Sequence, residues 1–229
     1  DNIPNRNEIV NALSKIKEVK SIILNINKDK GNTILGKKEK TIYGKNQILD
    51  ELMGYEFLIS SKSFYQVNSY QTKELYQLAY DMADLSKDDV LLDLYCGVGT
   101  IGIIASQYVK KVIGIDIVAD AIKDAKQNAL TNGVNNIEFY CGDANEVTQE
   151  LLDKDEHFDV IFVDPPRKGC DKATIDTIIK LNPNKVVYIS CNPTTLARDL
   201  TLFAQEGYQA IRARPVDMFP NTYHVETVV

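Results

Sequence analysis

The stretch Leu91-Leu92-Asp93-Leu94-Tyr95-Cys96-Gly97-Val98-Gly99-Thr100-Ile101-Gly102 reads as an apolar strand, a glycine turn and the opening of a helix. In an open α/β sheet, the carboxyl end of the first strand forms a seat for a cofactor in this way. Gly97 and Gly99 let backbone come close to a ligand, and the following helix offers free N–H groups. The spacing is G-x-G-x-x-G, with Asp116 19 residues beyond Gly97, so a dinucleotide fingerprint is one reading. The motif alone does not choose the cofactor.

Outward from this stretch the chain alternates strand and helix. The pattern predicts strands over Lys111–Asp116, Ile137–Cys141, Phe158–Asp164 and Val186–Ser190, and helices over Val118–Asn132, Lys172–Leu181 and Thr194–Glu206. Such alternation implies a parallel sheet covered by helices on both faces. Two further strands, Tyr208–Arg214 and Tyr223–Val229, are separated only by the segment around Pro215–Pro220, which fits an antiparallel edge. The expected fold is therefore α/β and Rossmann-like, with an antiparallel last strand.

Upstream the pattern differs. Residues 5–18 carry Ile9, Leu13 and Ile16 at helical spacing. Short extended runs then follow at Ser21–Ile26, Thr33–Leu35, Thr41–Tyr43 and Tyr55–Ile59, broken by a turn at Lys28-Asp29-Lys30-Gly31-Asn32 and by Gly36, Gly44 and Gly54. Residues 1–68 are expected to form a small β-rich α+β subdomain, too small to bury a core alone. A helix over Ser69–Leu85 leads into the catalytic domain, residues 69–229.

Composition limits the class. The 229 residues are 44% hydrophobic and 25% charged, an ordinary globular balance. No apolar run approaches the ~20 residues of a membrane span, so no membrane association is expected. Cys96, Cys141, Cys170 and Cys191 are far apart, with no C-x-x-C and only two histidines, which argues against a metal site and for a reducing, cytoplasmic location. The net charge of −6 speaks against a nucleic-acid binder, but residues 1–45 hold ten Lys/Arg against five Asp/Glu. A basic segment on an acidic body can contact phosphates, or simply be a solvated face.

The strand ends carry the candidate chemistry. Asp116 can accept both hydroxyls of a ribose, and Asp143 can hold an adenine amino group; each can equally be a helix cap. Asp93, four residues before Gly97, gives D-x-x-x-G-x-G, the usual opening of S-adenosylmethionine-dependent methyltransferase domains, with the acid orienting the glycine loop. Asp164-Pro165-Pro166-Arg167-Lys168-Gly169 makes a stiff loop beside the cofactor. It resembles the base-binding loop of nucleobase amino-methyltransferases, except that Arg167 stands where those place an aromatic residue. Cys191, in Ser190-Cys191-Asn192-Pro193, lies at a strand end just before a helix and can be an activated thiolate or a buried small hydrophobe. A thiolate nucleophile beside a methyl donor suits an unreactive pyrimidine carbon: attack at C6 activates C5, and a base must later remove the C5 proton. Glu226 supplies a carboxylate. On a strand it shares a face with His224, opposite Tyr223 and Val225, and apolar surroundings would raise its pKa.

Together, Phe64-Tyr65-Gln66-Val67-Asn68, Asp93–Thr100, Asp164–Gly169, Ser190–Pro193 and Asp217-Met218-Phe219-Pro220 with Thr222–Glu226 resemble the RNA (uracil-5-)-methyltransferase family, which includes tRNA and 23S ribosomal RNA enzymes. The resemblance implies methylation of C5 of a uridine in RNA, 23S rRNA favoured and the tRNA T-loop the other candidate, with Cys191 as nucleophile and Glu226 as base. It implies S-adenosyl-L-methionine as cofactor, contacted by Gln66, Tyr95, Asp116 and Asp164 beside the glycine turn at Gly97. Most members carry Glu where Asp116 stands. Members usually begin with a small RNA-binding β-barrel, and many carry an upstream iron–sulfur cluster; the expectation is that this chain is the central and catalytic part of a longer enzyme. An amino-methyltransferase built on the Asp-Pro-Pro loop, and a cofactor-binding RNA module without catalysis, are the alternatives.

Overall fold

Side chains alternate across a strand with period two, and in this protein that alternation divides the core into two layers. The computed structural model describes residues 3–29, 34–154 and 156–229. The expected turn at 30–32 and the start of the run at Thr33 lie outside the described residues; Ile34 and Leu35 form a bend rather than a strand.

In chain order the elements are α1 (Arg6–Leu13), β1 (Ser21–Ile26), β2 (Lys38–Gly44), β3 (Gln47–Leu52), β4 (Tyr55–Ser60), α2 (Ser69–Ala83), β5 (Val90–Leu94) and α3 (Thr100–Ala105). They continue with β6 (Lys111–Asp116), α4 (Ala119–Thr131), β7 (Ile137–Cys141), α5 (Ala144–Leu152), β8 (Val160–Val163) and α6 (Lys172–Leu181). The chain closes with β9 (Lys185–Ser190), α7 (Pro193–Gln205), β10 (Arg214–Val216) and β11 (Glu226–Val228). Seven strands form one sheet in the order β10-β11-β9-β8-β5-β6-β7. Strands β5 to β9 are parallel, and β11 runs antiparallel to both β9 and β10, as the sequence pattern predicts.

On one face Leu91, Val112, Val160, Phe162, Val187 and Ile189 pack beneath α2, α3 and α4. On the other, Leu92, Leu94, Ile113, Ile115, Ile161, Val163 and Tyr188 pack beneath α5, α6 and α7. Both faces are dry because crossover helices cover both, so the strands read as near-continuous apolar runs.

The hairpin β3–β4 joins the first of these layers. Its two-residue turn has positive φ at both Met53 and Gly54, the type I′ geometry that follows strand twist. Leu52, Phe57 and Ile59 are buried in the main core, so this unit does pack on the larger sheet. β3 was not expected from the sequence: its apolar Ile48 and Leu49 are exposed at 44% and 57%. α5 is a second element absent from the pattern-based reading, and it buries only Val147, Thr148 and Leu151. α1 is shorter than the 5–18 expected, and its apolar positions Ile9 and Leu13 face solvent, as does Ile16 beyond it.

Two corrections concern the chain's last elements. The strand expected over Tyr208–Arg214 begins only at Arg214, which pairs with Val228; residues before it run past the end of β11. The strand expected over Tyr223–Val229 begins at Glu226. Among the described residues, no helix is long and apolar enough to cross a membrane.

Candidate active site

The sheet's carboxyl edge gathers the candidate residues, and the glycine turn is its centre. Tyr95, Gly97 and Gly99 all have positive φ, at 64°, 54° and 84°. Only Tyr95 carries a side chain there, a conformation that costs energy and marks sites where the backbone is held by its surroundings. The Tyr95 ring packs towards α6, where its hydroxyl lies 3.4 Å from that of Thr174. Burial pushes its pKa up to about 12. Tyr95 therefore offers the turn its backbone, while its phenol belongs to the opposite layer.

Asp116 ends β6 and ties the turn down. One carboxylate oxygen accepts from the Gly97 N–H at 2.9 Å, and the other accepts from the Val118 N–H at 2.8 Å. Each oxygen keeps a second lone pair, so a ribose diol still finds two acceptors. Asp93 is fully buried, and one of its oxygens accepts from the Gly102 N–H at 2.9 Å. The acid thus grips the first turn of α3 rather than the glycine loop itself. Its other oxygen is buried without a partner, and burial pushes its pKa up to about 8. Asp143 stands exposed at the end of β7 and caps α5 by accepting from the Asn145 N–H. The cap reading of this residue is the geometry observed.

The segment 64–68 lies across this turn. A Cβ placed on Gly97 would sit 3.9 Å from the Phe64 carbonyl, and Asn68 donates to the Met218 carbonyl at 3.0 Å. Between them Gln66 is 7% exposed. Nothing in composition or periodicity marked Gln66; the resemblance alone did.

Cys191 follows β9 directly. Asn192 caps α7 by accepting from the Thr194 N–H, and Pro193 opens the helix with φ already fixed. β11 pairs Thr227 with Ser190 and Val228 with Ile189, so one further antiparallel step sets Glu226 opposite Cys191. Glu226 is 4% exposed and burial raises its pKa to about 7. Asp164, at the end of β8, is also raised to about 7, by burial first and Glu226 second.

The activated-thiolate expectation is corrected here. Burial pushes the Cys191 thiol upward, and the charges of Glu226 and Asp164 push it further. Arg167 only partly opposes them. The resting side chain is a thiol. His224 departs from expectation too: it precedes β11, and its ring lies 4.2 Å from that of Tyr223 instead of on the face of Glu226.

The loop Asp164–Gly169 is braced by α7. Thr195 and Asn192 donate to the Arg167 carbonyl, and Arg198 donates to the carbonyls of Lys168 and Cys170 at 3.0 Å. Arg198 is in turn held by Asp199, which is fully buried and also accepts from the Tyr188 hydroxyl and the Cys170 N–H.

The edge therefore unites Gln66, Gly97, Asp116, Asp164, Cys191 and Glu226, with Asp143 at its rim. Burial raises the pKa values of Asp93, Asp164 and Glu226, and among the described residues no lysine or arginine forms a salt bridge with any of them. Such a donor set favours a cationic ligand carrying a nucleoside. Among the described residues, no group of three or more His, Cys, Asp or Glu is placed to hold a metal ion. A cavity of about 570 Å³ lined by Lys185, Val187, Tyr208, Ile211 and Val229 sits at the far end of β9 and takes no part in the site.

Known proteins resemble this chain over its whole length. A family model described as tRNA (Uracil-5-)-methyltransferase matches residues 5–229. Curated relatives include uncharacterized RNA methyltransferases of Clostridium tetani, 46% identical over 99% of this chain, and of Staphylococcus aureus, 48% identical over 99%. The chain spans about half the length of each, 50% in both cases. The Pyrococcus abyssi tRNA (uracil-54, C5)-methyltransferase, solved with S-adenosyl-L-homocysteine, is 31% identical with a TM-score of 0.76. It covers all of this chain, which in turn covers 53% of it. A Methanocaldococcus jannaschii tRNA m1G37 methyltransferase, at 18% identity and a TM-score of 0.64, shares the fold.

Proposed function

Because the chain belongs to the tRNA (uracil-5-)-methyltransferase family, we propose that it binds S-adenosylmethionine and methylates C5 of a uridine in RNA. One observation carries this reading: β11 sets Glu226 opposite Cys191, so a nucleophile and a buried carboxylate face one point at the sheet's carboxyl edge. An amino-methyltransferase needs neither group. In this reading residues 69–229 are the catalytic domain, and residues 1–68 a subdomain docked on it.

The donor set fits the cofactor. Asp116 meets the ribose hydroxyls, Gln66 and Asp164 border the methionine portion, and the uncompensated acids favour the sulfonium charge. When bound, the cofactor supplies an electrophilic methyl group. The chain's own residues do the rest. Cys191 passes its Sγ proton to solvent and adds through Sγ to C6 of the uracil, and the C5–C6 π pair moves to make C5 nucleophilic. After C5 has taken the methyl group, Glu226 accepts the C5 proton. The C–H pair reforms the C5–C6 double bond and expels the Cys191 thiolate. A carboxylate with a pKa of about 7 can take that proton and return it to solvent at neutral pH.

The basic balance of residues 1–45 supplies phosphate contacts beside an otherwise acidic surface. 23S ribosomal RNA is the substrate we favour. The Pyrococcus abyssi relative, a tRNA enzyme, makes tRNA the necessary comparison. The test is incubation with methyl-labelled S-adenosylmethionine and separate tRNA and 23S rRNA transcripts, followed by digestion to nucleosides. Label in 5-methyluridine is expected. Label in a methylated adenine, or in no nucleoside of either RNA, overturns the reading.

A further inference from the structure

We propose that Asn128 is a positioning residue that couples the docking of the β3–β4 hairpin to the cofactor turn. The hairpin leaves one edge of β4 open, and an open edge presents unpaired N–H and C=O groups. Helix α4 closes it with side chains. Asp124 accepts from the Ser60 N–H at 3.1 Å, Asn128 accepts from the Leu58 N–H at 2.7 Å, and Asn132 accepts from the Glu56 N–H at 2.9 Å. Asn128 and Asn132 also donate back to the carbonyls of Leu58 and Glu56. Residues four apart on a helix and two apart on a strand thus meet rung by rung, as a neighbouring strand would.

Of the three rungs, the middle one reaches the glycine turn. The Asn128 amide nitrogen also donates to the Val98 carbonyl at 3.1 Å, inside the Gly97-Val98-Gly99 turn. Asn128 is 0% exposed, so every bond it makes replaces one that water cannot restore. The first rung acts on the other wall of the site, because Asp124 also accepts from the Ser63 hydroxyl, three residues before Gln66. Helix α4 therefore sets both the glycine turn and the start of the segment that carries Gln66, although none of its side chains has a role in the chemistry above.

This inference rests on the cofactor half of the proposed function, and no RNA enters its test. Calorimetric titration of S-adenosylhomocysteine compares the native chain with Asn128→Ala, Asn128→Asp and Asn132→Ala. Asn128→Asp keeps the side chain's shape and the acceptor for the Leu58 N–H but removes the donor to both the Val98 and Leu58 carbonyls. Asn132→Ala, which loses the matching pair of bonds to Glu56, is therefore the control for the hairpin rung. A urea midpoint for each variant separates loss of fold from loss of binding. Both Asn128 variants are expected to bind at least about tenfold more weakly, the effect of losing one buried hydrogen bond. Asn132→Ala, which loses a rung without touching the turn, is expected to stay within about twofold. Native-like affinity in the Asn128 variants overturns the coupling. So does an equal loss in Asn132→Ala, since hairpin docking in general would then be responsible. A native chain that fails to bind the probe removes the cofactor assignment, and the coupling with it.

Discussion

Glu226 stands opposite Cys191, one step beyond the Thr227–Ser190 pair that joins β11 to β9. The two residues are 35 positions apart in sequence, and the antiparallel last strand alone makes them neighbours. In a parallel strand Glu226, as the first residue, would lie at the opposite edge of the sheet. The reversed direction puts the amino end of β11 beside the carboxyl end of β9, and the Glu226 carboxylate beside the Cys191 thiol.

Glu226→Gln should trap the reaction after methyl transfer. An amide cannot accept the C5 proton, so the Cys191–C6 bond persists and a covalent protein–RNA adduct accumulates. Denaturing gel electrophoresis with labelled RNA reads this directly. Release of free methylated RNA at the native rate would remove Glu226 from its role.

Cys191→Ala should lower methyl transfer by at least about 10³-fold, the scale of removing a covalent nucleophile. Binding of S-adenosylhomocysteine should stay within about twofold, because Cys191 follows β9 while Asp116 ends β6, three strands away in the sheet. A parallel loss of binding would show that the side chain shapes the cofactor seat.

The acids should make the ligand-free protein less stable as pH rises. Asp93, Asp164 and Glu226 hold protons in the folded state up to about 8, 7 and 7, against ordinary values of 3.8, 3.8 and 4.5. A raised folded pKa contributes stability that is complete below the ordinary value and is lost as pH rises through the folded one. Urea unfolding at pH 5 and pH 9 should therefore differ by more than about 1 kcal/mol, with pH 5 the more stable. Asp93→Asn should shrink that difference. Equal stability at the two pH values would contradict burial of these acids.

Gly99→Ala should cost more than Gly54→Ala, although both glycines have φ of 84°. A Cβ on Gly99 would lie 2.8 Å from the Phe139 ring, whereas one on Gly54 meets nothing within 4 Å. Strain alone should cost Gly54→Ala about 1 kcal/mol, and Gly99→Ala about 2–4 kcal/mol with the added clash. Denaturant midpoints compare the two. Equal losses would mean that Phe139 yields without cost.

The central parallel strands β5, β6 and β8 were legible because burial on both faces leaves them largely apolar, and β1, β6, β7 and α6 have the limits their patterns indicate. β3 was hidden because Ile48 and Leu49 face water while its buried contribution is Leu52. α5 was hidden because Asn145, Glu146, Gln149 and Glu150 dilute its short apolar stripe. At the site, the glycine turn and the strand-end acids could be read from spacing. Gln66 could not, since a polar residue before a helix has no distinctive pattern. The suppressed acidity of Cys191 was unreadable for a different reason: it depends on burial first, and then on Glu226 and Asp164, which come from two other strands. The polar stripe Asp124, Asn128 and Asn132 carries no signal in the sequence pattern, and the open edge of β4 accounts for it.

That stripe also acts as a gauge. Four residues of helix advance about 6 Å, while two residues of strand advance roughly 6.6–6.8 Å. The two scales slip by about 0.7 Å at each rung, as the graduations of a vernier do, and they coincide over three. With Asn128 as the point of coincidence, each outer rung is out by only about 0.7 Å. Over three rungs that slip stays within what a hydrogen bond tolerates, and a longer ladder of this kind would run out of step.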